Sequence, residues 1–226
     1  MGWQYLITSS AWRNTAQASV GGVGIVLSPD ARKVILNIKS VSSRILLANL
    51  RSNPVTMVIP AYSPTRAAME EDIESFYSDL HGTISDVPAH NFLLILGDFN
   101  GHLGNNKVPF SYHEESNRNE EYLLELMEDH ALIACNTQFQ KAPKKLWTWI
   151  SPPNTNGVRH RQQIDFILTR RKWRNSILDC QAYNSLASIS SDHRALLVKV
   201  RLSLKAQKKN APRGVSNQKQ IPASFG

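Results

Sequence analysis

Phe92-Leu93-Leu94-Ile95-Leu96 is an unbroken apolar run that ends at Gly97 and is followed by Asp98-Phe99-Asn100. Such a run is short for a helix and suits a strand covered on both faces, so the chain must build a sheet with a layer on either side of it. Other segments supply the layers. Met69, Ile73, Phe76, Tyr77 and Leu80 recur at helical spacing between Glu70, Glu71, Asp72, Glu74 and Asp79, which predicts a surface helix with one buried stripe. A second acidic helix is expected around Glu120 to Asp129, burying Leu123, Leu126 and Met127. The stretches Val34 to Leu50, Val55 to Pro60 and Leu132 to Cys135 read as strands. Near the end, Leu196, Val198, Val200 and Leu202 alternate with Lys199 and Arg201, the period of a half-buried strand. Strands interleaved with helices indicate a layered α/β domain.

Composition narrows the setting. A chain of 226 residues, 42% hydrophobic and 19% charged, is long enough for one sizeable core. Its 26 Lys and Arg against 18 Asp and Glu give a formal charge of +8, which suits a polyanionic partner and suits plain solubility equally. Cys135 and Cys180 are the only cysteines, so no disulfide framework or Cys-rich zinc site is present, and a reducing compartment fits. No apolar run reaches the ~20 residues of a membrane span, and residue 1 is not followed by a secretory pattern. An intracellular protein, nuclear or cytoplasmic, with no membrane association is expected. From Lys205 onward, basic residues are scattered among Gln, Asn, Ser and Pro, so residues 204–226 read as a disordered basic tail.

Three short polar signatures abut predicted strands. Asp98 and Asn100 follow the buried run two residues apart; in an extended backbone both would project to one side of the strand end, while an Asx-capped turn explains the same spacing. A carboxylate there could hold a metal or handle a proton, and an amide beside it could bind a phosphoryl oxygen. Asp165 interrupts the apolar Ile164-Phe166-Ile167-Leu168, and a carboxylate buried there needs a partner. Arg170, Arg171 or a backbone amide would serve structurally. His193, after Ser191-Asp192 and just before the last strand, could accept a proton from an attacking water if a carboxylate fixed its tautomer, and Asp165 is the candidate for that carboxylate.

Together these motifs resemble the endonuclease/exonuclease/phosphatase superfamily, over about Gly21 to Leu202. Gly21-Gly22-Val23-Gly24-Ile25 is similar to the family's Gly-Gly strand, and Ala61-Tyr62-Ser63-Pro64 to its Tyr-x-Pro segment. Leu96-Gly97-Asp98-Phe99-Asn100, Ile164-Asp165-Phe166-Ile167-Leu168 and Ser191-Asp192-His193 match its Gly-Asp-Phe-Asn, Asp-Tyr-Ile-Leu and Ser-Asp-His motifs. Trp147-Thr148-Trp149 with Ser151-Pro152 further resembles the endonuclease domains of non-LTR retrotransposons and their relatives of the craniofacial development protein 2 type. The resemblance implies a two-sheet α/β sandwich of the DNase I-like type and a Mg²⁺- or Mn²⁺-dependent phosphodiester hydrolase acting on DNA. By position, it implies His193 as general base oriented by Asp165, and Asp98 positioning the water or assisting the leaving oxygen. Tyr62 would support transition-state charge, Asn100 and Thr148 would contact phosphate, and Asp192 would help hold the metal.

The family's first two strands carry an Asn and a metal-binding Glu, and neither has a match here. The first glutamate is Glu70, on the predicted acidic helix, and residues 1–20 contain Asn14 but no acidic residue. The expectation is therefore an atypical segment 1–20, a domain over 21–203 incomplete at its N-terminus, and catalysis impaired by loss of that Glu. The alternatives are a non-catalytic remnant or nucleic-acid-binding module, with basic candidates Arg159, His160, Arg161, Arg170, Arg171, Lys172 and Arg174, and a phosphatase of the same superfamily. Core packing is the expected duty of at least one of Trp147 and Trp149.

Overall fold

The structure is a computed structural model that describes residues 6–8, 12–13, 19–114, 118–183 and 191–202, with side chains from residue 21 onward except at 118 and 119. Asn14 and the tail expected over 204–226 lie outside the described residues.

In chain order the elements are β1 (Leu6–Thr8), β2 (Trp12–Arg13), β3 (Ser19–Val20), β4 (Gly24–Val26), α1 (Pro29–Lys33), β5 (Ile35–Ser42) and β6 (Ile45–Leu50). They continue with β7 (Thr56–Tyr62), α2 (Glu70–Ser85), β8 (Phe92–Asp98), α3 (Arg118–Asp129), β9 (Leu132–Ala134), β10 (Trp149–Ile150), β11 (Arg161–Gln162), β12 (Asp165–Arg170), β13 (Ile177–Tyr183) and β14 (Ala195–Val200). The central sheet has six strands in the order β5-β6-β7-β8-β12-β9; β7 and β8 run parallel, and the other neighbours are antiparallel. β13 and β14 form a second, antiparallel sheet. The fold is the expected α/β sandwich.

Strand β8 is covered on both faces, as its sequence demands. Leu93 and Ile95 face a core shared with Ile73, Phe76 and Leu80 of α2 and Leu123 and Leu126 of α3. Phe92, Leu94 and Leu96 face a second core built from Ile167, Ile177, Cys180, Leu196 and Val198. Each side chain so buried contributes ~1.5–3 kcal/mol by leaving water, so the two cores fix β8 between the helices and the second sheet. One residue of the expected helical stripe departs: Met69 is 72% exposed, because it sits at the N-cap before the first turn of α2 points its side chains at the sheet.

Gly97 fixes how closely the central strands meet. A Cβ there would lie 1.7 Å from the carbonyl oxygen of Ala61, so only a glycine lets β7 and β8 pair at this level. The consequence falls on the next residue along each strand. Tyr62 of β7 stands beside Asp98 of β8, and Asp98 stands opposite Asp165 of β12. Side chains alternate along a strand, so Tyr62, Asp98 and Asp165 emerge on the face that the second sheet covers, at one end of three adjacent strands. No helix among the described residues is long and apolar enough to cross a membrane.

Candidate active site

His193 stands between the two carboxylates. Its Nδ1 lies 3.1 Å from Asp165 Oδ2, and its Nε2 lies 4.0 Å from Asp98 Oδ2. All three side chains are half-buried rather than sealed, with side-chain exposures of 34% for His193, 18% for Asp165 and 14% for Asp98. The carboxylate of Asp165 accepts the Nδ1 proton and leaves Nε2 as the basic nitrogen facing Asp98. Asp165 thus finds its partner in a histidine 28 residues away. The neighbouring arginines do not serve it: Arg170 donates instead to the carbonyls of Val87 and Pro88.

Buried polar groups hold this line in place. Thr148 is fully buried, and its hydroxyl oxygen accepts the backbone N–H groups of Ile164 and Asp165, at 3.1 Å each. The residue expected to contact phosphate therefore spends its hydroxyl on fixing the start of β12. Asn136 is also buried and donates from Nδ2 to the carbonyl of Asp165 at 3.1 Å. On the other side, Ile150 donates its N–H to the Asp192 carbonyl and Arg194 donates to the Thr148 carbonyl, which brackets His193 between two backbone bonds. The His193 N–H donates to Ser191 Oγ at 3.1 Å, giving the Ser-x-His spacing a local role. Asn136 belongs to none of the motifs in the sequence. Its signal was an amide set between the buried Cys135 and Thr137, where an unpaired polar group is costly.

The other expected residues are placed as follows. Asp98 ends its strand, and Asn100 adopts a left-handed φ of 49°, donating its N–H to Asp98 Oδ1 at 2.8 Å. Of the two arrangements the spacing allows, the structure holds the Asx turn. Asn100 Nδ2 donates to the Ser63 carbonyl at 3.0 Å, which ties the turn to the Tyr-x-Pro segment. Tyr62 is half-buried with the Arg44 guanidinium 5.2 Å from its ring centroid. Asp192 is exposed, and its Oδ2 accepts from Trp149 Nε1 at 2.8 Å. It lies outside the compact group of possible metal ligands formed by Asp98, Asp165 and His193, whose donor atoms all lie within 4.8 Å of one another.

The basic candidates divide by position. Arg170 ends the strand that Asp165 begins, five residues and ~17 Å further along. Lys172 donates to the Ala89 carbonyl and Arg174 to the Gln138 carbonyl, so this cluster staples loops at the far end of the sheet. The site end holds different cations. Arg194 and Arg161 lie over the buried Trp147, at 3.0 and 5.3 Å from its ring centroid, and Arg66 lines a small cavity with Asn100, His102 and Gln162. Trp147 packs as expected, and Trp149 adds an indole bond to Asp192.

The electrostatics follow from this crowding. Burial, then the charge of Asp165, pushes the Asp98 carboxyl up to about 7, against the opposing pull of the Asn100 N–H and of His193. The hydrogen bond that His193 donates to Asp165 raises its imidazole above the usual range, against its partial burial. Two neighbouring carboxylates with only an imidazole between them carry the surplus negative charge that a hard cation with oxygen ligands would neutralise. The donor set therefore fits a divalent metal ion.

No protein-family profile matches the chain. It is 31% identical over 206 residues to craniofacial development protein 2 of Bos taurus, a match spanning 87% of this chain and 33% of that protein. The protein of the same name from Tragulus javanicus is 29% identical over 192 residues, 81% of this chain and 32% of its own. The chain thus spans about a third of the length of the curated relatives it matches. Among solved structures, the endonuclease domain of TRAS1, a telomere-specific non-LTR retrotransposon, superposes with a TM-score of 0.63 at 14% identity, covering 88% of this chain and 81% of that one. A 3′ phosphatase from Neisseria bound to product DNA hairpin gives 0.64 at 17% identity, with 88% and 79% covered. An endonuclease/exonuclease/phosphatase family protein from Leptotrichia buccalis gives 0.59 at 15%, with 88% and 72% covered.

Proposed function

On the premise that this chain has the DNase I-like fold of the endonuclease/exonuclease/phosphatase superfamily, we propose that it is a phosphodiester hydrolase of the DNA endonuclease type, dependent on Mg²⁺ or Mn²⁺. The observation that carries this reading is the line Asp165–His193–Asp98, with the histidine's Nδ1 taken by one carboxylate and its Nε2 turned towards the other.

His193 Nε2 removes the proton from a water entering the gap beside Asp98, and Asp165 stabilises the imidazolium that forms. The hydroxide attacks phosphorus, the bond to the leaving oxygen breaks, and that oxygen takes up a proton. Solvent supplies that proton, and Asp98, which a bound cation would keep ionised, positions the attacking water beside His193. Tyr62, in register with Asp98, faces the same gap and supports charge on the phosphoryl oxygens. Asn100 closes the turn that aims Asp98 and stands at the cavity where a neighbouring phosphate is received by Arg66. Thr148 acts through Asp165 as a positioning residue. A bound divalent cation would neutralise charge on the phosphate and the leaving oxygen; Asp98 and Asp165 would hold it, with Asp192 at the rim.

Glu70, the first glutamate, begins α2 on the helix side of the sheet and cannot join these donors. Among the described residues a bound metal would therefore rely on aspartates alone, and the proposed activity is attenuated relative to a site with one more carboxylate. The domain organisation proposed is a nuclease-like unit over 21–203 between the segment 1–20 and the basic stretch 204–226. A non-catalytic nucleic-acid-binding role is the second reading, favoured by the arginines around Trp147.

Supercoiled plasmid incubated with Mg²⁺ tests the proposal. Nicking by the wild-type chain that EDTA and His193→Ala abolish is the expected result. Salt-sensitive DNA retention without nicking refutes the hydrolase and supports the binding module. Release of phosphate from a DNA 3′ end without nicking refutes the endonuclease in favour of a phosphatase.

A further inference from the structure

The Gly21-Gly22 pair takes no part in the catalytic line, yet it is shaped around a neighbour of Tyr62. Both glycines have a positive φ, of 80° and 103°. Gly22 donates its N–H to the Ser43 carbonyl at 2.7 Å, and a Cβ on Gly21 would come within 2.9 Å of that same oxygen and 3.3 Å of Arg44 Cγ. Glycine alone lets this segment lie flat on the turn between β5 and β6 and on the stem of Arg44. Ser42 Oγ also accepts the Arg44 N–H, at 3.3 Å.

Arg44, so held, touches Tyr62 in three ways. Its carbonyl accepts the Tyr62 N–H at 2.9 Å, one step beyond the Ile45–Ala61 pair of β6 and β7. Its Nη1 donates to the Tyr62 carbonyl at 3.2 Å, in a partly buried bond, and its guanidinium carbon stands 5.2 Å from the centroid of the ring. A planar, permanently charged fork can serve the carbonyl and the ring face together. A cation on that face draws electron density from the ring and makes the phenol a stronger hydrogen-bond donor. The setting of Arg44 does not suit a phosphate, because the cavity it borders is walled by Asp72 and Asp79 of α2.

We propose that Arg44 is a positioning residue for Tyr62: held by Gly21-Gly22, it fixes the ring beside Asp98 and strengthens the phenol's hydrogen bond to a phosphoryl oxygen. The proposal rests on the reading of Tyr62 as a phosphate-facing group of a hydrolase. Arg44 itself contacts no substrate in this role.

The test is a double-mutant cycle on the full chain, read by plasmid-nicking kinetics. Arg44→Met keeps the stem and loses the charge, and should lower kcat about 10-fold with KM little changed. Arg44→Lys keeps a cation and should recover most of that loss. Tyr62→Phe should lower kcat ~100-fold, and adding Arg44→Met to it should cost nothing further. An equal further loss in the Tyr62→Phe background overturns the proposal. A salt-sensitive rise in KM alone also overturns it, since that marks an arginine bound to phosphate. NMR supplies a readout that needs no activity. The Arg44 Nε–H signal of the wild type should be shifted upfield by the Tyr62 ring, keep the shift in Tyr62→Phe and lose it in Tyr62→Leu. A wild-type signal without that shift overturns the proposal whatever the kinetics show. Absence of nicking by the wild type refutes the hydrolase reading and with it the effect on kcat, while the ring-current shift still decides whether Arg44 positions Tyr62.

Discussion

The crowded carboxylate Asp98 should destabilise the fold that holds it, and Asp98→Asn should release that cost in a pH-dependent way. Burial and Asp165 raise its carboxyl from 3.8 to about 7. The native state therefore binds a proton that the unfolded chain has lost between those values, and stability falls as pH rises through that window. At 1.36 kcal/mol per pH unit the whole displacement corresponds to ~4 kcal/mol, and relaxation of His193 and entry of water reduce it to ~2–4 kcal/mol. Asparagine keeps an acceptor for the Asn100 N–H, now 2.8 Å from Asp98 Oδ1, and carries no charge. Urea unfolding in EDTA, followed by far-ultraviolet circular dichroism, should show Asp98→Asn more stable than wild type by ~2–4 kcal/mol at pH 8 and nearly equal to it at pH 4. The same variant should fail in the plasmid assay. A stabilisation of equal size at both pH values, or a loss at pH 8, would refute the reasoning, because neither can come from relieving an ionised, crowded carboxylate.

Asp165→Asn keeps the shape of the site but removes the charge that fixes the His193 tautomer; kcat should fall by up to ~10⁴-fold with KM little changed, read by steady-state nicking kinetics. Thr148→Val leaves the N–H groups of Ile164 and Asp165 without their buried acceptor, so chemical denaturation should show a loss of ~1–3 kcal/mol together with reduced kcat. Gly97→Ala must part β7 from β8 by more than 1 Å to relieve a Cβ contact of 1.7 Å, and should leave little folded soluble protein. Gly82→Ala in α2, where a Cβ meets nothing within 4 Å, should instead stabilise by ~0.5–1 kcal/mol in the same denaturation assay.

The contrast between those two glycines shows which parts of the molecule can be read along the chain. Phe92 to Leu96, the stripe of α2 and the alternation in β14 declare themselves because their periods report burial directly, and the structure places them as those periods require, Met69 at the start of α2 excepted. Along the chain Gly97 reads as the end of an apolar run, and its close approach to Ala61 exists only with β7 beside it. The same limit governs the site. Asp165 and His193 are 28 residues apart, and Asp165 is only five residues from Arg170, yet the distant pair bonds while the near one lies at opposite ends of a strand. Thr148 and Asn136 reach Asp165 across 17 and 29 residues, so nothing local distinguishes them from other buried polar side chains. Asp98 and Asn100 mark the intermediate case: their spacing identified the strand end, but the left-handed turn at Asn100 depends on Ser63, 37 residues earlier, accepting from its amide. A line of two carboxylates and an imidazole gathered where strands begin and end is thus readable as a set of residue types, while the bonds that aim it belong to the sheet order that brings β7, β8 and β12 together.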